Sequence, residues 1–199
     1  MRVEERRYYA RRASEYDDWY LGRGNFADRD RPGWEEEMRG LVDLLASLRA
    51  GRVLDAACGT GFLTRHLRGE VTGIDQSAEM IEIARQRCPH AAFVVGDALR
   101  LPFAEGSFDL VLMAHFYGHL REPDRQCFLV EARRVARALV VVDSALRPGV
   151  EPEAIEERFL KDGSRYEVYK RFFEPSALAR ELGGGAVLFA GSWYVAVAA

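Results

Sequence analysis

One stretch constrains this chain more than any other: the apolar run that ends in an acid and breaks into a glycine turn, Val53-Leu54-Asp55-Ala56-Ala57-Cys58-Gly59-Thr60-Gly61. Gly59 and Gly61 permit a sharp reversal and let backbone approach a bound molecule where a Cβ would collide. The run 62–67 that follows reads as a helix, and its first N–H groups would suit a negatively charged group over the turn. A second apolar run, 71–74, leads into Asp75, twenty residues beyond Asp55. A nucleotide-binding βαβ unit places the acid that grips ribose hydroxyls at about this distance. The pattern predicts a site for a nucleoside-containing cofactor.

Strands and helices alternate from there. Strands are predicted at 53–56, 71–74, 92–95, 108–113 and 139–142, and helices at 77–87 and 124–137, the first capped by Ser77 and ended before Pro89. Residues 34–49 repeat apolar side chains at helical spacing. Short, wholly apolar strands joined through helices imply a parallel sheet covered on both faces. The opening, 6–20, is charged and aromatic, and 21–33 reads as a loop. After the last of these strands, 153–159 looks helical, 161–166 a turn, and 167–173 mixes aromatic and basic residues. A helix at 175–182 stops at Gly183-Gly184-Gly185, and strands at 187–190 and 193–197 lie close enough to form a hairpin.

With 199 residues and 48% hydrophobic side chains, one domain with a full core is the natural reading, divided into a cap at 1–34 and a core at 35–199. A formal charge of −3 supplies no global basic field for nucleic acid, and the arginines, interleaved with acids, read as solvated surface. Cys58, Cys88 and Cys127 show no metal-ligand spacing and read as reduced thiols, with no metal expected. No apolar run of about 18 residues exists to span a bilayer, so no membrane partner and a cytoplasmic location are expected. Nothing in the sequence indicates an oligomeric state.

The glycine turn resembles the first motif of the class I S-adenosylmethionine-dependent methyltransferases, D-x-G-x-G-x-G, with Ala57 replacing the first glycine and Gly59 and Gly61 matching. The likeness continues through Val71-Thr72-Gly73-Ile74-Asp75, Val94-Val95-Gly96-Asp97-Ala98, Leu101-Pro102-Phe103 and Ser107-Phe108-Asp109-Leu110-Val111. It implies a doubly wound, Rossmann-like α/β fold: a mainly parallel seven-stranded sheet with an antiparallel last strand and helices on both faces. It also implies methyl transfer from S-adenosyl-L-methionine to O, N or C of a small-molecule acceptor. A non-catalytic cofactor-binding or regulatory protein on the same fold is the rival reading. A dehydrogenase is a second rival, but Thr64 stands where its third glycine belongs.

By that resemblance the turn from Asp55 through Ala57 and Gly59 to Gly61 underlies the methionine part of the cofactor, with amides near Gly59 and Gly61 on its carboxylate. Asp55 orients the turn or reaches the amino group through water. Asp75 accepts from both ribose hydroxyls, Gln76 and Met80 flank the adenine, and Asp97 accepts from its amino group beside Ala98, unless Asp97 instead caps Leu99. Ala114 belongs to the same set. The segment after the fourth strand faces the sulfonium, with His115 or His119 as candidate base. Similar enzymes open with an aromatic-acidic helix, here around residues 13–17, that closes as a lid. Tyr8, Arg12 and Tyr16 would bind the methionine carboxylate from it, or simply pack. Tyr117, Tyr166, Tyr169 and Arg171 are expected to wall the acceptor pocket.

Overall fold

The computed structural model describes residues 3–199. Seven strands form the main sheet in the order β3-β2-β1-β4-β5-β9-β8. The first five, β1 (Arg52–Ala56), β2 (Glu70–Asp75), β3 (Ala92–Val95), β4 (Phe108–Ala114) and β5 (Ala136–Ser144), run parallel. β9 (Tyr194–Ala198) inserts antiparallel beside β5, and β8 (Ala186–Ala190) closes the edge as its hairpin partner. This is the sheet that the resemblance implied.

Alternation along the strands explains the layering. Leu54, Val111, Val141 and Val197 face one side and pack with Phe128, Leu129 and Leu178 of helices α5 (Glu122–Val135) and α6 (Pro175–Glu181). Their neighbours Val53, Leu110, Val140 and Ala196 face the other, against Leu41 and Leu45 of α3 (Trp34–Ser47). Ile81 and Ala84 of α4 (Ala78–Arg87) close a smaller cluster with Cys88 and Phe93, partly covered by Cys58. Ser77 caps α4, accepting from the Met80 amide at 3.2 Å.

Three segments depart from the sequence reading. Residues 62–67 are a turn with a single 3-10 element, Thr64–His66, not a helix. Only a few residues separate Gly61 (φ 72°) from Gly69 (φ 94°), both left-handed, and Phe62, Leu63 and Leu67 all bury their side chains from that short span. Residues 153–159 are a strand, β6 (Glu153–Phe159), paired antiparallel with β7 (Arg165–Arg171). The cause lies beyond the segment: Asp162-Gly163 forms the tip of a hairpin, with Gly163 at φ 81°, and Tyr166 and Val168 supply strand-forming residues opposite. The opening is two helices, α1 (Val3–Arg12) and α2 (Asp18–Leu21), with a 3-10 turn at Ala13–Glu15 where a lid helix was expected.

Strand order reverses between β1 and β4, the place where open α/β sheets bind ligands beyond their carboxyl ends. The opening segment and the β6–β7 hairpin meet over that edge: Leu160 and Val168 cluster with Tyr8. Among the described residues no helix is long and apolar enough to cross a membrane.

Candidate active site

The glycine turn is tied down from three sides. Asp55, buried at the end of β1, accepts from Thr64 Oγ1 at 2.6 Å. Asp75 accepts the Gly59 amide at 3.0 Å and the Ser77 amide at 2.9 Å, one on each carboxylate oxygen. Asp17 accepts from Thr60 Oγ1 at 2.6 Å and pairs with Arg87, which also donates to the Thr60 carbonyl. Asp17 and Arg87 were not foreseen, and they fasten the opening segment to the turn. At Gly61 a Cβ would meet Ala84 Cβ at 3.2 Å and Cys88 Sγ at 3.3 Å, so turn and α4 come together only over glycine.

The amides expected over a methionine carboxylate are engaged elsewhere: Gly59 N–H donates to Asp75 and Gly61 N–H to the Cys58 carbonyl. Residues 62–67 form a turn, so the helix expected there to present its first N–H groups over the glycine turn does not form. Tyr16 instead covers the turn, its ring 3.5 Å from where a Gly59 Cβ would stand, with the Arg12 guanidinium 4.9 Å from the ring centre. Arg12 also donates to the Tyr8 hydroxyl at 2.8 Å, so Tyr8 and Arg12 brace the opening segment.

A cleft beyond the strand ends is lined by Ala57, Gly59, Asp75, Gln76, Met80, Gly96, Ala98 and Phe116, with Tyr9, Tyr16 and His115 over it. Burial raises the Asp75 carboxyl above its usual range, partly offset by the Ser77, Gly59 and Gln76 amides. A carboxylate offers about four lone-pair sites, so the amides of Ser77, Gly59 and Gln76 leave Asp75 capacity to accept from a ribose hydroxyl. Apolar Met80 and Phe116 and the small Ala98 suit a flat base. The residues fit a nucleoside. Asp97 accepts from the Leu99 amide at 3.0 Å, the capping role weighed above, and it does not line the cleft. Ala114 borders the turn from the other side, near Asp55 and Ala57.

His115 stands at the boundary between this cleft and a second cavity of about 310 Å³. Among the described residues it is one of two non-glycine residues with positive φ (57°; Ala57 is the other, at 58°), a strained conformation that persists where surroundings enforce it. Its amide is held by the Val142 carbonyl at 2.8 Å, its ring is enclosed by Trp19, Tyr20 and Tyr194, and neither ring nitrogen has a hydrogen-bond partner. Burial lowers its pKa to about 4, with Asp143 opposing and Lys170 assisting. His119 is held well below its usual value by burial and then Lys170, and its Nδ1 lies 2.7 Å from the Tyr169 carbonyl.

Behind both histidines is a buried ion pair, Asp143 at the end of β5 and Lys170 on β7, 2.5 Å apart. Asp143 also accepts the Gly118 amide at 2.7 Å. A Cβ on Gly118 would lie 2.6 Å from the Arg171 carbonyl and 2.9 Å from Asp143 Oδ1, so the loop carrying the histidines can seat here only as glycine.

The proposed acceptor wall falls elsewhere. Tyr117 packs in the core near Phe128 and Phe173 with its hydroxyl donated to Glu181, and Arg171 pairs with the same Glu181 at 3.1 Å. Tyr166 receives a hydrogen bond from Arg11, and Tyr169 lies under the Arg121 guanidinium. None of the four lines the 310 Å³ cavity; Trp19, Trp34, Lys170, Phe172 and Trp193 do, with a set of arginines. Alternating charge at Asp28-Arg29-Asp30-Arg31 looked like solvated loop, and only the folding of that loop toward β5 and β6 reveals the cavity.

Buried Asp55 yields a stability prediction. Burial raises its pKa to about 7, with the Thr64 bond opposing, so the folded state holds this proton more tightly than the unfolded chain. Its contribution is therefore lost as pH rises from the ordinary carboxylate range through 7. Asp55→Asn keeps an acceptor for Thr64 and removes that loss; urea denaturation should show it about 2 kcal/mol more stable than wild type at pH 8, with no gain at pH 4.

Sheet order, glycine turn, β2 acid and the cleft at the switch point together define a class I S-adenosylmethionine-dependent methyltransferase fold. Residues 53–138 match the family described as a methyltransferase domain. Among curated proteins, the chain is 40% identical over 102 residues to a demethylmenaquinone methyltransferase of Thermotoga maritima, covering 49% of this chain and 44% of that protein. It is 36% identical over 129 residues to one of Beutenbergia cavernae, covering 62% and 53%. The chain thus spans about half the length of the curated relatives it matches. Among solved structures, the complex of DhpI with SAH is 27% identical, with a TM-score of 0.77, covering 98% of this chain and 94% of that one. The DhpI–SAM–HEP complex gives 26% and 0.78.

Proposed function

We propose that this protein transfers a methyl group from S-adenosylmethionine to a small-molecule acceptor, with the cofactor in the Asp75 cleft and the acceptor in the 310 Å³ cavity. The adjacency of the two spaces carries the reading: Tyr9, Tyr16 and His115 line both, so a group bound in one lies next to a group bound in the other. Similarity to the SAH-bound and SAM-bound forms of DhpI supports the choice of cofactor.

When bound, the cofactor supplies an electrophilic sulfonium methyl. The chain's own contribution is alignment and exclusion of water, which can supply much of the acceleration in such a displacement. Asp75 fixes the ribose, Met80 and Phe116 the base. Tyr9 and Tyr16, on the opening segment, close the cleft. Neutral, partnerless His115 can accept a proton from a hydroxyl or amine in the cavity, while Asp143 and Lys170 hold its loop from behind.

The test uses S-adenosylmethionine with a panel of phenols, quinols, amines and organic acids, reading S-adenosylhomocysteine release. At least one acceptor should raise release well above the acceptor-free rate, and His115→Ala should lower kcat on it by roughly 100-fold. Because His115 is neutral above about pH 4, the wild-type rate should not fall on its account between pH 8 and 5. Failure of every acceptor with cofactor bound would favour a non-catalytic binding protein.

A further inference from the structure

The acceptor cavity is electrically unlike the rest of the chain. Six cations line it, Arg12, Arg29, Arg31, Arg147, Arg158 and Lys170, against two acids, Asp30 and Glu156, in a protein of formal charge −3. Two of the six are neutralised: Lys170 by Asp143, and Arg158 by Glu156. Among the described residues the other four have no carboxylate partner at ion-pair distance.

Aromatic rings hold those four instead. Arg12 lies 4.9 Å from the Tyr16 ring centre, Arg29 4.8 Å from Phe26, Arg31 4.1 Å from Trp34 and Arg147 4.2 Å from Trp193. Stacking occupies the flat face of a guanidinium and leaves its edge N–H groups, which form a fork matched to oxyanions. Arg31 gives one donor to the Trp19 carbonyl at 2.7 Å, and Arg12 one to Tyr8. Arg158 Nε is buried with no hydrogen-bond partner. The crowding has an electrostatic signature: burial, then Arg158, Arg31 and Arg12, depress the Arg29 pKa, with only Glu156 opposing. Like charges gathered in a concave, aromatic-walled space disfavour one another until an anion joins them.

We propose that the acceptor carries an anionic oxygen group, a phosphate, phosphonate or carboxylate, and that Arg29, Arg31 and Arg147 hold it, with the partnerless Nε of Arg158 beside them. This rests on the methyltransferase reading above and specifies its substrate class. Three stacked guanidinium groups without carboxylates favour a doubly charged group over a single carboxylate, and bidentate pairing makes the recognition directional. The tryptophans around the cavity then serve as an apolar wall for the remainder of the acceptor.

The cavity contains its own probe, because Trp19, Trp34 and Trp193 all line it and are the chain's three tryptophans. Tryptophan emission is followed while inorganic phosphate, phenylphosphonate, benzoate and phenol are titrated into protein saturated with S-adenosylhomocysteine. Phenylphosphonate and phosphate should bind and phenol should not, with affinity falling as KCl rises. Tighter binding of benzoate than phenylphosphonate would identify the group as carboxylate, the reverse as phosphoryl. Arg29→Ala and Arg147→Ala should each weaken the preferred anion at least tenfold. Arg137→Ala, at the opposite end of β5, should leave it unchanged, and calorimetric affinity for S-adenosylhomocysteine should be unaltered in all three. Saturation with S-adenosylhomocysteine but no anion binding, or binding indifferent to salt and to both arginine variants, would overturn the anionic acceptor and leave the methyltransferase reading intact. Failure of wild type to bind S-adenosylhomocysteine would overturn that reading, and this inference with it.

Discussion

Asp75→Ala should weaken S-adenosylhomocysteine binding by about 100-fold or more, with the protein still folded by circular dichroism. Two losses combine. Among the described residues the carboxylate is the one acid lining the cleft, and hydrogen bonds from a diol to a charged acceptor contribute about 1.5–3 kcal/mol each. Asp75 also accepts the Gly59 and Ser77 amides, so its removal loosens the glycine turn and the start of α4 together. Asp75→Asn separates the two: it keeps an acceptor oxygen for an amide but lacks the charge, and should fall between wild type and alanine. Equal affinity in wild type and Asp75→Ala would mean that the nucleoside does not bind where the turn places it.

Lys170→Met should destabilise the protein by about 3–5 kcal/mol at pH 7, because it leaves Asp143 charged and unpaired in the interior. Burial pushes the Asp143 carboxyl up, but Lys170, aided by His115 and His119, more than offsets this and holds it below the usual range. In wild type that stability is present above the ordinary carboxylate range and is lost as pH falls through the depressed value. Without Lys170 burial prevails, Asp143 prefers its proton, and the sign reverses. The gap between the two proteins, measured by urea denaturation, should therefore narrow from pH 7 toward pH 4.5. Adding Asp143→Asn to Lys170→Met should recover part of the loss at pH 7, since the uncompensated charge is gone. Lys170→Met should also impair turnover at temperatures where it remains folded, because the pair seats the Gly118 turn between the histidines.

Much of the proposed cofactor half of this architecture was legible in the sequence because it is local, although the Gly59 and Gly61 amides and Asp97 turn to other partners. Val53-Leu54-Asp55, the glycine turn and Val71 to Asp75 lie within one pair of successive parallel strands and the turn that joins them, where chain order and spatial order coincide. The proposed acceptor half was not. Its wall gathers Arg29 and Arg31 from a loop, Arg147 from beyond β5, Arg158 from β6 and Trp193 from the final hairpin, residues whose proximity no local pattern encodes. Read as a helix, residues 153–159 hid the hairpin that brings Arg158 and Lys170 over the site. Tyr117 and Arg171, with acceptor-like chemistry in the right stretch of chain, turned inward to Glu181 instead. The His115 position was readable from its place after β4, but its left-handed backbone and partnerless ring were not.

Calorimetric titration of S-adenosylhomocysteine and of NAD into the wild-type protein tests the central claim most directly. One S-adenosylhomocysteine per chain at micromolar affinity, with no heat from NAD, is the result predicted by the Asp75 cleft. Well-folded protein that binds neither, or that prefers NAD, would contradict it.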